Sequence, residues 1–397
     1  MLRRNFLTSL TLPWLAAADA PSGRGAGSPS VAGRRPFALG LYNLPKVADP
    51  WREAREAGCN LVHVSPTPHD FDLAREHQLN TWVTLGSISE KNRAADEARI
   101  RSIVEQFRHD STLLFWETED EPAYQWKSLK PRVAPEQIIA THDFVKKLDP
   151  SHPLYLNHAP VNLVTTLQKY NAGAEIIATD IYPVVPHGIR PMYALWPTGR
   201  QGDLLNATIS QVGEYTDKMR RVAGPSRRVL MVLQAFAWED LRDKDRDPAM
   251  VLYPDRAQIK SMAYQAVVHG ADGLLYWGLA SNPDGAPVWN DLRAVLTQLS
   301  QLTPELSAPP RKLALRIEYH DTGHSLDRGI EWTVRPSTKG VVLFTVNADE
   351  NPVEARVTLP GGLTKCQVVG TGEATPVTRS ALDLSFAPFE AKALRLS

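Results

Sequence analysis

From Pro36 onward the chain alternates short apolar runs with stretches whose apolar residues recur every three or four positions. The runs are Phe37–Tyr42, Leu61–Ser65, Thr81–Leu85, Leu113–Glu121, Leu154–Asn157, Ile176–Tyr182, Val229–Phe236 and Gly273–Gly278. Each reads as a strand, and each is followed by a segment with helical period. The clearest helix spans Pro135 to Leu148. Proline stands near its start, Ile138, Ile139, Phe144, Val145 and Leu148 share one stripe, and Lys146-Lys147 complement the dipole in the last turn. Another places Leu292, Val295, Leu296, Leu299 and Leu302 on one face. Eight such units over residues 36–308, roughly 270 residues, predict a (β/α)8 TIM barrel, for which ~250 is typical. A doubly wound open sheet would want GxGxxG or GxxxxGK[ST] after a strand, and neither occurs.

The pattern changes after the Pro-rich stretch TPELSAPPR (303–311). Alternating β runs follow at Leu313–Ile317, Val341–Val346, Ala355–Leu359, Leu382–Phe386 and Ala391–Leu396, separated by Gly, Pro, Asn and Asp turns. Residues 309–397 therefore read as a small all-β sandwich. Only Trp332 stands out in it as an aromatic, which favours packing support for the barrel over polysaccharide binding.

Within the barrel, helix-to-strand connections are short (Ala57-Gly58-Cys59, Asn171-Ala172-Gly173, His269 to Asp272). Three strand-to-helix connections, Pro122–Ala134, Pro183–Ala207 and Ala237–Pro254, are long and rich in aromatics, prolines or charge. At the C-terminal face of a barrel, long loops form the walls of a site. Trp116, Trp126, Trp196, Trp238 and Trp277 all fall in or just after strands 4, 6, 7 and 8. Flat aromatic faces in a polar cleft suit the C–H faces of a sugar.

Composition removes several function classes. Forty-four Lys+Arg balance forty-four Asp+Glu, with no basic stripe for nucleic acid. No apolar stretch reaches membrane-span length. The two cysteines, Cys59 and Cys366, fall in different domains, which excludes a disulfide framework and disfavours a Cys-based zinc site. A metal-dependent barrel hydrolase would want His-x-His on the first strand, which reads FALGLYN; His63, His69, His158 and His187 lie near strand ends without ligand spacing. No GxSxG elbow marks a serine hydrolase. The expectation is a site without metal or organic cofactor.

The amino terminus, MLRRNFLTSLTLPWLAAADA, has Arg3-Arg4, a weakly apolar run and the small-residue ending Ala18-Asp19-Ala20. It resembles a twin-arginine export signal over residues 1–20, followed by a Gly/Ser/Pro/Arg-rich tether over 21–35. The resemblance implies passage through the twin-arginine machinery and a periplasmic or secreted bacterial protein.

The densest chemistry closes strand 4: Phe115-Trp116-Glu117-Thr118-Glu119-Asp120-Glu121-Pro122. Period two puts Glu117, Glu119 and Glu121 on one face and Thr118 and Asp120 on the other. Such crowding is costly unless hydrogen-bonded or used, and it raises the pKa of at least one carboxyl into the range of a general acid. The Asp-Glu-Pro here resembles the Asn-Glu-Pro signature of the clan A retaining glycoside hydrolases. Asp180-Ile181-Tyr182-Pro183 at the tip of strand 6 and Gly270-Ala271-Asp272-Gly273-Leu274-Leu275-Tyr276-Trp277 across strand 8 are similar to the same clan. The resemblance implies cleavage of an O-glycosidic bond in an oligo- or polysaccharide, with Glu121 as acid/base. It also implies Asp120 beside the substrate hydroxyls, Tyr182 as a hydroxyl donor and Trp277 as a platform under the sugar. Asn157 and His158 after strand 5 suit substrate hydrogen bonding, as does Asp180. The pattern departs at strand 7, where VLMVLQAF carries Gln234 in place of the nucleophilic Glu. Gln234 can bind a sugar but cannot form a glycosyl ester. Glu239, five residues on, becomes the candidate second carboxylate, with Asp180 next. A noncatalytic carbohydrate-binding barrel that has lost its nucleophile is the rival reading.

Overall fold

The computed structural model describes residues 36–124, 130–186, 206–320 and 328–397. The leader at 1–20, the tether at 21–35, and Trp126, His187 and Trp196 lie outside the described residues. Eight parallel strands close a barrel in sequence order: β1 (Ala38–Leu41), β2 (Leu61–His63), β3 (Asn80–Thr84), β4 (Leu113–Asp120), β5 (Leu154–His158), β6 (Ile176–Ile181), β7 (Arg228–Gln234) and β8 (Gly273–Trp277), with β8 paired to β1. The surrounding helices are α1 (Pro50–Glu56), α2 (Pro68–Glu76), α3 (Arg93–Phe107), α4 (Pro135–Leu148), α5 (Val164–Leu167), α6 (Gln211–Ala223), α7 (Arg256–Val268) and α8 (Val288–Ser300). Several start as their sequence dictates. The Asp49 and Thr67 side chains accept from the first turns of α1 and α2, each followed by Pro, and Asp255 with Gln258 forms a capping box on α7.

Alternate strand residues fill the barrel: Leu61, Trp82, Phe115, Tyr155, Ile176, Ala178, Leu230, Val232 and Leu275 form one inner cluster. Their neighbours, such as Leu39, Val62, Val83, Trp116, Leu156, Ile177 and Leu274, face the helices in a larger cluster. Among the described residues no helix is long and apolar enough to cross a membrane.

After the short helix α9 (Thr303–Ser307) come two antiparallel sheets. Their strands are β9 (Arg316–Tyr319), β10 (Ile330–Ser337), β11 (Gly340–Asn347), β12 (Val353–Thr358), β13 (Cys366–Val368), β14 (Ala374–Thr375), β15 (Ala381–Phe386) and β16 (Ala391–Leu396). One sheet runs β10-β11-β16-β13-β14 and the other β15-β12-β9. Between them lie Val334, Leu343, Leu394, Ala355, Val357, Leu382 and Phe386, with Trp332 packed at the edge. The opposite face of the five-stranded sheet (Val342, Phe344, Val346, Ala391, Ala393) joins the barrel's outer core, and Phe344 meets Tyr264 of α7 at 5.8 Å between ring centroids. Strands β10, β13 and β14 go beyond the five runs visible in the sequence: Arg335 and Pro336 interrupt the first, and the others are only three and two residues long.

An ionic clasp ties this sheet to the barrel. His269, at the C-terminus of α7, meets Asp217 of α6 at 2.9 Å through Nδ1 and Glu331 of β10 at 3.0 Å through Nε2. Burial opposes its charge, but hydrogen bonds to the two carboxylates and their charge carry its pKa up to about 9. The folded value lies above the ~6.5 of an unfolded histidine, so the clasp contributes fully below that pH and is lost as pH rises through about 9. Differential scanning calorimetry should show the melting temperature of the native protein falling more steeply between pH 7 and 10 than that of His269→Gln. The clasp should be worth about 1 kcal/mol, as a cation at a helix C-terminus with partly exposed partners. Parallel pH curves for the two proteins would show that the histidine does not hold the sheet.

Candidate active site

The site begins with an irregularity in β4. Its pairing with β5 runs Glu117 to Tyr155 and then Asp120 to Asn157, three steps on one strand against two on the other. This bulge reverses the inward–outward alternation. Glu117 and Asp120 both reach the interior side, whereas Glu119 turns to Ser87 Oγ (2.9 Å) and Arg132 (3.4 Å). The even alternation expected for Glu117, Glu119 and Glu121 is thereby corrected. Glu121 follows the strand with φ 44°, a left-handed conformation unusual for a residue bearing a Cβ. Its N–H donates to Asn157 O (3.0 Å), its carbonyl accepts from Tyr124 N (3.1 Å), and Arg132 donates to Asp120 O at 2.7 Å. The turn is fixed on both sides.

Around that turn two carboxyls share one amide, and a third joins one of them. Asn157 Nδ2 donates to Asp120 Oδ1 at 2.9 Å and to Asp180 Oδ1 at 3.2 Å, which fixes the amide's orientation and leaves Asn157 Oδ1 buried without a donor. Asp180, inward on β6 and 6% exposed, hydrogen-bonds to Glu121. Burial, reinforced by Asp120's negative charge, pushes Glu121 up to about 7. Asp180 is pushed up in the same sense by burial, then by the charges of Glu121 and Asp120. The two carboxyls share one environment, and both are biased toward the protonated form. Asp120 is exposed, and its Oδ2 takes no donor among the described residues.

Beneath lies a second, unanticipated cluster. Glu117 accepts from Tyr42 OH (3.0 Å), Trp82 Nε1 (3.1 Å) and Thr84 Oγ1 (2.7 Å), and Tyr42 OH lies 2.8 Å from Tyr155 OH. Burial lifts Glu117 to about 7 despite these three donors. His63 touches Thr84 Oγ1 at 2.9 Å, with its pKa lowered to about 4 by burial. Tyr42, His63 and Thr84 close strands 1 to 3, where period two from the apolar inward positions could have placed Tyr42.

Aromatic rings wall the other side. Tyr182 stacks on Trp277 (5.6 Å, 25°), Phe236 meets both edge-on, and Trp238 donates through Nε1 to Tyr182 O at 3.2 Å. Tyr124 follows the Glu121 turn, and burial, then the charges of Glu121 and Asp180, raise its pKa.

Other expected site residues point elsewhere. His158 follows inward Asn157 and so faces the helix layer, fully buried edge-on to Tyr170, both ring nitrogens without partners and its pKa lowered to about 3 by burial. It cannot meet substrate. Gln234 is fully buried: its Oε1 accepts from Val184 N (2.9 Å) and its Nε2 donates to Val184 O (2.9 Å) and Phe236 O (3.0 Å). The amide clips two strand tips together and has no group left for a sugar. Glu239 Oε1 accepts from Asp247 N (2.6 Å) and Arg242 (3.3 Å), so this carboxylate staples its own loop and is not among the groups acting on Glu121. Trp116 faces outward and donates to Asp149 at 2.8 Å, a core contact instead of a cleft wall. Among the described residues no three His, Cys, Asp or Glu side chains converge to hold a metal ion.

No family model matches the chain, and no curated protein matches it in sequence. Solved structures do resemble it. A family-27 β-L-arabinopyranosidase from Geobacillus stearothermophilus superposes with a TM-score of 0.56 at 11% identity over 92% of this chain and 97% of that one. A family-42 β-galactosidase from G. stearothermophilus gives 0.56 at 9% identity over 92% and 100%. An α-amylase from Geobacillus thermoleovorans gives 0.54 at 10% over 91% and 98%. At these identities the likeness is one of fold, the eight-stranded parallel barrel of these glycoside hydrolases.

Proposed function

We propose that this protein is an exported glycoside hydrolase that protonates the departing glycosidic oxygen with Glu121. The observation that carries this reading is the hydrogen bond between Glu121 and buried Asp180 at the ends of strands 4 and 6, with the stacked rings of Tyr182 and Trp277 at the ends of strands 6 and 8. A carboxyl held protonated near neutral pH is what a general acid requires, and stacked rings beside it suit a sugar ring. Asp120 and Asn157 supply polar contacts to the substrate, and the site uses no metal or organic cofactor. Turnover of aryl glycosides and polysaccharides by the mature protein, compared with Glu121→Gln, tests the reading. The sealing of Gln234 favours one alternative, a carbohydrate-binding barrel without catalysis; saturable sugar binding with no turnover would establish it.

Export through the twin-arginine machinery, delivering the protein to the periplasm or beyond, belongs to the same proposal. Changing Arg3-Arg4 to Lys-Lys keeps the charge but removes the planar guanidinium pair. Cell fractionation should then find the precursor in the cytoplasm, and undiminished export would point to the general secretory route.

A further inference from the structure

We infer that the substrate is a 2-acetamido sugar whose own amide oxygen serves as the nucleophile; this rests on the reading of Glu121 as the acid. A glycosidase needs a group to meet C1 on the ring face opposite the acid, and its two carboxyls normally stand about 5–5.5 Å apart for retention or about 6.5–9.5 Å for inversion. Each group considered for that part is engaged elsewhere or stands beside the acid. The strand-7 position is Gln234, with its amide consumed by Val184 and Phe236. Glu239 is held by Asp247 N and Arg242. Asp180 hydrogen-bonds to Glu121 and therefore stands on the acid's own side, nearer than either spacing allows.

What the site offers instead is a second carboxylate immediately beside the acid. Asp120 is exposed, Asn157 Nδ2 anchors one of its oxygens at 2.9 Å, and the other is open. An anchored acceptor next to the acid matches an N–H on the carbon adjacent to C1. It is poorly suited to attacking C1, because it approaches from the same side as the proton donor.

The chemistry closes without another protein nucleophile. The acetamido oxygen attacks C1 while the bond from C1 to the leaving oxygen breaks and that oxygen takes the Glu121 proton. The resulting oxazolinium ion keeps its N–H on Asp120, whose charge offsets the new positive one. Water then adds to C1 and gives a proton to Glu121, and the bond from C1 to the amide oxygen breaks, restoring the acetamido group. Backside attack requires the acetamido and leaving groups to be trans, and two displacements retain the anomeric configuration.

The mature full-length chain should therefore hydrolyse 4-nitrophenyl 2-acetamido-2-deoxy-β-glucoside or β-galactoside and leave the matching 2-hydroxy glycosides at background. Replacing the acetyl group by mono-, di- and trifluoroacetyl drains electron density from the attacking oxygen. It should lower kcat/KM at each step, by about a hundredfold or more over the series, as the advantage of an intramolecular nucleophile is lost. A 1,2-fused thiazoline of the same sugar should raise the melting temperature, and Asp120→Asn should weaken that binding, a readout independent of turnover. Hydrolysis of 2-hydroxy glycosides at comparable rates, or rates indifferent to fluorination, would overturn the acetamido inference and leave the role of Glu121 standing. Absence of turnover on any glycoside, with no stabilisation by the thiazoline, would overturn both.

Discussion

Glu121→Gln should lower turnover by about 10²–10⁴-fold, the usual contribution of a positioned general acid. Glutamine keeps the size of the side chain and the backbone bonds of the turn, so circular dichroism and melting temperature should change little. The loss should be largest for leaving groups of high pKa and smallest for nitrophenols, which depart with little protonation. In the native protein kcat should fall as pH rises through about 7, because the acid must carry its proton. Asp120's charge helps hold Glu121 protonated, so Asp120→Asn should move this alkaline limb to lower pH. Asp180→Asn should impair turnover strongly, whereas Glu239→Gln, altering a loop staple, should leave it nearly intact. If Glu239→Gln proved as damaging as Glu121→Gln, Glu239 would be a working carboxylate and not a loop staple.

The second large effect concerns the C-terminal sheets. A chain ended at Leu306 should lose solubility or melt far below the full protein. Val342, Phe344, Val346, Ala391 and Ala393 cover apolar residues of the barrel's outer layer, and the cut exposes that layer to water. Each large side chain so buried is worth about 1.5–3 kcal/mol, and a domain's whole margin is only about 5–15 kcal/mol. The cut also removes Ser337 Oγ and Arg395 from Glu305, leaving that buried carboxylate without two of its partners. Thermal melting and sedimentation would check this; a truncated barrel that melted with the full protein would show that the sheets are an appendage.

The barrel was legible because its strands are short apolar runs bounded by turns, as parallel strands covered on both faces must be. All eight runs recur within a few residues of the observed strands. Of the candidate site residues, the structure brings Asp120, Asn157, Glu121 and Asp180 together and stacks Tyr182 on Trp277, where chemistry and strand end coincide. The bulge between Glu117 and Asp120 has no signature in residue type, since an extra residue in a carboxylate-rich strand looks like one more carboxylate. His158 shows the opposite case: its neighbour Asn157 faces inward, and simple alternation sends the histidine outward. The sequence does not show the ties of Gln234 and Glu239 to backbone groups of Val184, Phe236 and Asp247, because residue types say nothing about which main-chain atoms a loop will present.

The backbone torsion at Glu121 sets stability against the proposed catalytic role at a single residue. A non-glycine residue held at φ 44° carries strain of order 1 kcal/mol or more, which the surrounding fold must absorb. Glycine there would relax the turn and asparagine would tolerate it better than glutamate, so either exchange could leave a sturdier molecule with no acid. If Glu121 is the proposed acid, selection for thermal resistance alone would tend to discard it.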